Sequence, residues 1–389
     1  MGKSWRDLIK INDTSAPLNP TLSAELQALA HHLITAHPNP HPMMWILSSG
    51  TSSTHQNSFK FMGLTQEALL ASAKAVNLHL NATSDDRWLN VLPLFHVGGL
   101  GILYRAYVSE SECFNIWDDT FKWNPHHYRE LCQSHNITLS SLVPTQIYDL
   151  VQAQLVAPAS LRAIVVGGAR LNEELYQKAR HLGWPLLPSF GMTEAGSQVA
   201  TASLASLGST NYPELQLLSH ISARTNEHHQ LSLRGSSLFE GFYAIQDGVP
   251  SPWCNPKDAE GWYLTQDCAH LNDGHLQILA RVDDVIKIRG ENVNLSVLRN
   301  RLEQLQPIAP GKIDCTIVAI PESRLGHQLV IVGNAPLETL QALQNRFNQQ
   351  SLPFERIEQS LGPIELPRTA LGKIQNQKLI ARILAGRTL

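Results

Sequence analysis

A chain of 389 residues exceeds what one ordinary hydrophobic core organises, so two or more domains are expected. A hydrophobic share of 43% with 16% charged residues excludes general disorder, and a formal net charge of -3 leaves no basic surplus for a dedicated nucleic-acid partner. The cysteines Cys113, Cys132, Cys254, Cys268 and Cys315 form no CxxC pair, which argues against a structural zinc or disulfide framework and fits reduced thiols in a cytoplasmic protein.

The opening MGKSWRDLIKIND lacks the apolar core of a signal peptide, and no apolar run reaches the roughly 20 residues that span a bilayer. The expectation is a soluble protein without an integral membrane segment. Residues 22–36, LSAELQALAHHLITA, have helical periodicity. HPNPHP breaks the chain, and MMWILSS reads as a buried strand running into a Gly/Ser/Thr loop. Strands are then expected at Trp88–Leu94, Thr138–Leu142, LRAIVVGG and PLLPSF, alternating with helices at 125–134, Pro144–Gln154 and Asn172–Leu182. That alternation predicts an α/β fold with a largely parallel sheet. From about residue 215 the pieces become short and β-rich. After Arg281 come the strands IVAI and LVIVG, a helix at 337–349 and a last helix near 375–386. The predicted organisation is a large domain over residues 1–281, with parallel and mixed sheets and a β-rich subdomain. A small, mobile α+β domain follows over residues 282–389.

Six of the 17 histidines occur as adjacent pairs, His31-His32, His126-His127 and His228-His229, and no HExxH helix is present, which argues against a metal–histidine centre. Seven other segments carry chemistry. In WILSSGTSSTHQNSFK (45–60), small hydroxyl residues around Gly50 let a backbone approach phosphate, with Lys60 as a local cation. The GK[ST] ending of a Walker loop is absent, and such clusters are often plain loops. In LPLFHVGGL (92–100), His96 sits where a strand would end, before Gly98-Gly99, and taken alone it reads first as a core-edge histidine before a turn. SLRAIVVGGARLNEEL (160–175) and LLPSFGMTEAGS (186–197) each run from an apolar strand into small residues, the kind of loop that holds ligands in open α/β sheets. Thr193 and Glu194 would offer a hydroxyl and a carboxylate suited to phosphate and Mg²⁺. EGWYLTQDCAHL (260–271) places Asp267 where a carboxylate can accept both hydroxyls of a ribose. ARVDDVIKIRGENVN (280–294) sets Arg281 before Asp283 and Asp284, and ELPRTALGKIQ (365–375) puts a glycine before Lys373. Alone, that lysine is a solvated charge.

Together GMTE, GWYLTQD, RVDDVIKIRGENV and PRTALGKI, in this order and spacing, resemble the adenylate-forming superfamily of AMP-binding enzymes: acyl-CoA synthetases, adenylation domains and luciferases. The resemblance covers about residues 44–380. It implies that Ser48, Ser49, Gly50, Thr51 and Lys60 bind the phosphates of ATP, although SSTHQNSFK is longer here than the family's loop. It also implies that Gly167, Gly168, Ala169, Ser189, Phe190 and Gly191 line the adenine pocket. Thr193 would touch phosphate, Glu194 would hold Mg²⁺, and Asp267 and Arg281 would contact ribose. Asp283 would mark the hinge of a rotating C-terminal domain, Lys373 would promote adenylation, and His96 would lie near the acyl group. LPLFHVGGLGILYRAYVS, SLVPTQIYDLV and GWYLTQD look most like o-succinylbenzoate–CoA ligases of menaquinone biosynthesis. That resemblance implies a small carboxylic acid, ATP and coenzyme A as substrates. A ligase for another acid, an enzyme loading a carrier protein, and a non-catalytic nucleotide-binding relative are the alternatives. A cation facing a second carboxylate would favour succinylbenzoate.

Overall fold

The computed structural model describes the chain except residues 1–4, 10–13, 21, 39–40, 50–57, 119, 307–312, 323, 370–371 and 387–389. Helix α1 (Ala24–Ala36) starts where Ser23 Oγ accepts from the Leu26 amide, a cap that satisfies one of the first-turn donors. Strands β1 (Met43–Ser49) and β2 (Ser58–Thr65) pair antiparallel with Ser48 opposite Lys60. Thr65 caps α2 (Gln66–Leu80).

The chain then alternates through β3 (Arg87–Asn90), α3 (Val97–Ser109), β4 (Glu112–Asn115), α4 (Pro125–Ser134) and β5 (Leu139–Leu142). It continues with α5 (Pro144–Gln152), β6 (Ala163–Val166), α6 (Glu173–His181) and β7 (Leu186–Met192). Strands β3 to β7 are mutually parallel. Successive strand residues point to opposite faces, and this assigns each to one of two cores. Trp88, Ala163, Val165 and Leu187 pack with α2 and α3 residues such as Val76 and Leu103. Leu89, Ile164, Val166 and Leu186 pack on the other face with Tyr128, Ile147 and Tyr176 from α4, α5 and α6. The sheet is thus buried on both sides, as parallel sheets are.

The expected strand at Trp88–Leu94 ends at Asn90, because Asn90 Oδ1 accepts from the Leu92 amide and turns the chain. A second difference is larger. Strand β7 pairs parallel with β6 but antiparallel with β8 (Ser197–Ala202), so the sheet does not stop there. Strands β9 (Leu215–Leu217), β10 (Ile221–Thr225) and β11 (Gln230–Gly235) prolong it. Strands β12 (Gly241–Gln246) and β13 (Val249–Pro250) instead join β1 and β2 in a four-stranded sheet. Strands β14 (Tyr263–Asn272) and β15 (His275–Arg281) complete an 11-stranded sheet. The β-rich pieces expected after residue 215 are mostly an antiparallel continuation of the α/β sheet.

Beyond Arg281 lie the hairpin β16 (Val285–Ile288) and β17 (Glu291–Asn294), then α7 (Leu295–Gln304). A three-stranded sheet of β18 (Cys315–Glu322), β19 (Gly326–Gly333) and β20 (Ile357–Leu361) follows, with α8 (Leu337–Gln349) and α9 (Asn376–Gly386). Two apolar clusters in this part, around Leu298, Ile331 and Phe347 and around Val318, Val330 and Leu379, draw only on residues after Val285.

Candidate active site

The loops that leave β3, β6 and β7 at their carboxyl ends carry His96, Gly167, Gly168, Ala169, Thr193 and Glu194, the position at which open α/β sheets bind ligands. His96 lies between β3 and α3 as the residue preceding the helix, and its ring makes no capping bond. Burial lowers its imidazole from 6.5 to about 4, so it is neutral at physiological pH. Gly167 follows β6 with its amide donating to Leu142 O at 3.1 Å, and Gly168 takes φ +84°. Ser189, Phe190 and Gly191 belong to β7, and a Cβ on Gly191 would stand 2.0 Å from the Ser197 carbonyl oxygen, so only glycine fits. Thr193 and Glu194 form the short turn that links β7 to β8, with Gly196 N–H donating to Thr193 O at 3.1 Å.

Asp267 and Arg281 face each other across β14 and β15, with Nη1 3.8 Å from Oδ1. Arg281 Nε also donates to Asp283 Oδ1 at 3.0 Å. Asp267 is buried, and that burial raises its carboxyl above the ordinary value. The cations Arg281 and Lys373 work against the rise, whereas Glu194 and Asp283 add to it. Tyr263, on β14, has its phenol pushed up by burial and then by the Glu194 and Asp267 carboxylates.

Lys373 reaches the same field from the other end of the chain. It keeps exposed surface, yet desolvation and the Arg281 charge hold its ammonium below the ordinary value, against the pull of Asp267, Asp284 and Asp283. The residues flanking it are tied together by hydrogen bonds. Thr369 N–H donates to Lys373 O at 2.8 Å, Gly372 N–H to Thr369 O at 2.8 Å, and Arg368 Nη1 to Gly372 O at 2.6 Å. Arg368 is itself bound to Asp314. Gly372, at φ +77°, packs so closely on Thr145 at the start of α5 that a Cβ would lie 3.0 Å from its hydroxyl. The structure therefore brings Glu194, Asp267, Arg281 and Lys373 into one electrostatic cluster.

The phosphate-loop residues are placed differently. Ser48 and Lys60 are cross-strand partners, and Ser49 ends β1, whereas Gly50 and Thr51 lie outside the described residues. Lys60 Nζ stands 4.9 Å from the Phe242 ring centroid. Phe242 stacks on Phe239, Phe239 meets Tyr263, and the Phe239 amide donates to Glu194 O at 2.9 Å. Phe242 and Phe239 thus connect Lys60 to Tyr263 and to the Glu194 backbone.

Sequence reasoning missed Tyr263, although it lies inside GWYLTQD, and it missed Arg105. Arg105 is 2% exposed in the middle of α3. Its side chain runs back along the helix, so that Nη2 lies 3.2 Å from where a Cβ on Gly101 would be. Nη1 donates to Ser141 Oγ at 3.3 Å and Nη2 to Ser197 Oγ at 3.2 Å. Burial lowers it to about 10, and no carboxylate among the described residues opposes that effect. The available signal was one charge inside the apolar run GILYRAYV.

The AMP-binding enzyme family matches residues 9–223, more than half of the chain, and the protein belongs to that family. It is similar to the 2-succinylbenzoate--CoA ligase of Bacillus velezensis, 29% identical over 261 residues that make up 63% of this chain and 50% of that protein. The chain thus spans about half the length of this curated relative. Two solved structures share the fold. One is an Escherichia coli MenE variant with bound OSB-AMS (TM-score 0.71, 24% identity, 97% of this chain and 84% of that one). The other is the o-succinylbenzoate coenzyme A synthetase of Bacillus subtilis with ATP and magnesium ion (TM-score 0.69, 22% identity, 86% and 69%).

Proposed function

We propose that this protein activates a carboxylic acid with ATP as an acyl-adenylate and then forms its coenzyme A thioester, with o-succinylbenzoate as the acid. The convergence of Glu194, Asp267, Arg281 and Lys373 carries the reading. Asp267 and Arg281 would hold the ribose, with Ser189, Phe190, Gly191 and the Gly167–Ala169 turn as the adenine wall. A single carboxylate, Glu194, beside a phosphate site suits Mg²⁺, which takes oxygen ligands and is commonly held by one or two carboxylates together with substrate phosphates. The ion would neutralise phosphate charge. Lys373 would stabilise negative charge on the α-phosphoryl oxygens as the acid's carboxylate attacks and pyrophosphate leaves.

Arg105 favours a diacid over a simple acid. A buried guanidinium without a counter-charge is costly, and a second carboxylate on the substrate would supply that counter-charge. Neutral His96, at the amino end of the same helix, would face the acyl group without adding charge. The boundary near residues 281–284, with a C-terminal domain that turns about Asp283, is part of the proposal. Its support is the pair of apolar clusters built only from later residues. A cytoplasmic location is proposed on the cysteine spacing, which contains no CxxC pair. No helix among the described residues is long and apolar enough to cross a membrane.

The test is ATP–pyrophosphate exchange over a panel of carboxylic acids. Exchange that depends on o-succinylbenzoate and Mg²⁺ is expected. Exchange with another acid alone would reassign the substrate, and none with any acid would defeat the enzymatic reading.

A further inference from the structure

The side chains that hydrogen-bond the Arg105 guanidinium come from strands β5 and β8, outside its own helix. A guanidinium carries only donors, so the Gln198 amide atom that faces it is the oxygen. In that orientation Gln198 Oε1 accepts from Arg105 Nη2 at 2.9 Å and from Nη1 at 3.3 Å, and the amide nitrogen donates to Thr201 Oγ1. The Thr201 hydroxyl then donates onward to Ser189 Oγ at 2.9 Å, and Ser189 donates to Ala200 O at 3.2 Å. Every bond in this chain points away from the guanidinium. Gln198 is 4% exposed and Thr201 0%, so water does not compete for these groups.

We propose that Gln198 is a positioning and specificity-determining residue that aims Arg105 at the second carboxylate of the acid and, through Thr201 and Ser189, ties that cation to the nucleotide wall. The inference rests on the diacid reading above. The hydrogen bonds that hold Arg105, to Ser141, Ser197 and Gln198, all go to neutral oxygens, and its guanidinium also lies 5.8 Å from the centroid of the uncharged Trp88 ring. The guanidinium is therefore oriented but not neutralised, which leaves its charge for a ligand. The Gln198 contact at 2.9 Å is shorter than the serine contacts and meets both terminal nitrogens, so it fixes the guanidinium plane. The uniform bond direction also predicts that glutamate does not substitute for glutamine here. A carboxylate would neutralise Arg105 internally and would have no N–H to give Thr201.

The experiment compares kcat/KM in pyrophosphate exchange for o-succinylbenzoate and for the mono-ester that leaves the reacting carboxylate free. Gln198→Glu should lower the diacid-to-ester ratio at least tenfold, chiefly through KM of the diacid. An unchanged ratio overturns the proposal, as does an equal loss for both acids, which a purely structural role would give. Thr201→Val should keep the diacid preference and raise KM for ATP; an unchanged KM for ATP removes the link to the nucleotide wall. Crystal structures of ligand-free wild-type protein and Gln198→Leu provide a readout independent of the acid. Arg105 should change rotamer in the variant, and an unmoved guanidinium refutes its positioning by Gln198. A wild-type ratio near unity would count against the diacid reading, while the crystal structures still decide the positioning claim.

Discussion

Replacing Lys373 with alanine should separate the two proposed half-reactions. In the first, a carboxylate approaches an already anionic phosphate, and a fixed ammonium offsets the charge that accumulates between them. Lys373 is partly stripped of water, with Asp267, Asp283 and Asp284 favouring its charged form and burial and Arg281 opposing it. Its interaction with an oxyanion then falls nearer an effective dielectric of about 20 than that of bulk water, where two unit charges about 4 Å apart attract by about 4 kcal/mol. Loss of one preorganised donor costs about 2.7–4 kcal/mol in comparable sites. At about 1.36 kcal/mol per tenfold, Lys373→Ala should slow adenylate formation by about 10²–10³. Rapid-quench single turnovers from ATP and acid measure that step. The same method started from synthetic acyl-adenylate and coenzyme A measures the second, which should persist because the lysine would then be turned away. Equal slowing of both steps would refute the argument.

Three further outcomes follow from named contacts. Arg105→Met should raise KM for the diacid tenfold or more, since a hydrogen bond to a charged group contributes about 1.5–3 kcal/mol, and steady-state kinetics with the mono-ester provide the control. Gly191→Ala should destabilise the protein by about 1–3 kcal/mol in denaturant unfolding, because the Ser197 carbonyl occupies the space a Cβ needs. His96→Asn should soften acid unfolding. The folded imidazole titrates near about 4 and its unfolded value is 6.5, so the unfolded chain binds the extra proton and stability falls as pH drops across that window. Thermal melts from pH 7 to pH 4 should show a smaller decline in the variant.

The parallel core was legible because its signal is local. AIVV between turn residues is apolar on both faces, as a strand covered on both sides must be, and GMTE and GWYLTQD mark turns at strand ends. The antiparallel extension was not legible, since the β7–β8 pairing depends on a glycine that lets two backbones meet, and that contact has no periodic trace in the sequence. Lys373, Asp267 and Glu194 were found as separate motifs. Their shared field required the structure, because Lys373 and Glu194 are 179 residues apart (373 minus 194) and the approach of Gly372 to Thr145 is a contact between distant parts of the chain. Arg105 was hidden by its helix: the run GILYRAYV reads as apolar, and the serines and glutamine that receive its guanidinium come from β5 and β8. Lys60, expected beside phosphate, has an aromatic neighbour that the spacing of WILSSGTSSTHQNSFK does not reveal.

The central claim is that one pocket uses ATP to join a diacid to coenzyme A through an adenylate. Purified protein with ATP, Mg²⁺, o-succinylbenzoate and coenzyme A, analysed by liquid chromatography and mass spectrometry, tests it most directly. The account predicts o-succinylbenzoyl-CoA and AMP in equal amounts, with the acyl-adenylate accumulating when coenzyme A is left out. ADP in place of AMP, or thioester from the complete mixture with no adenylate when coenzyme A is withheld, would contradict it.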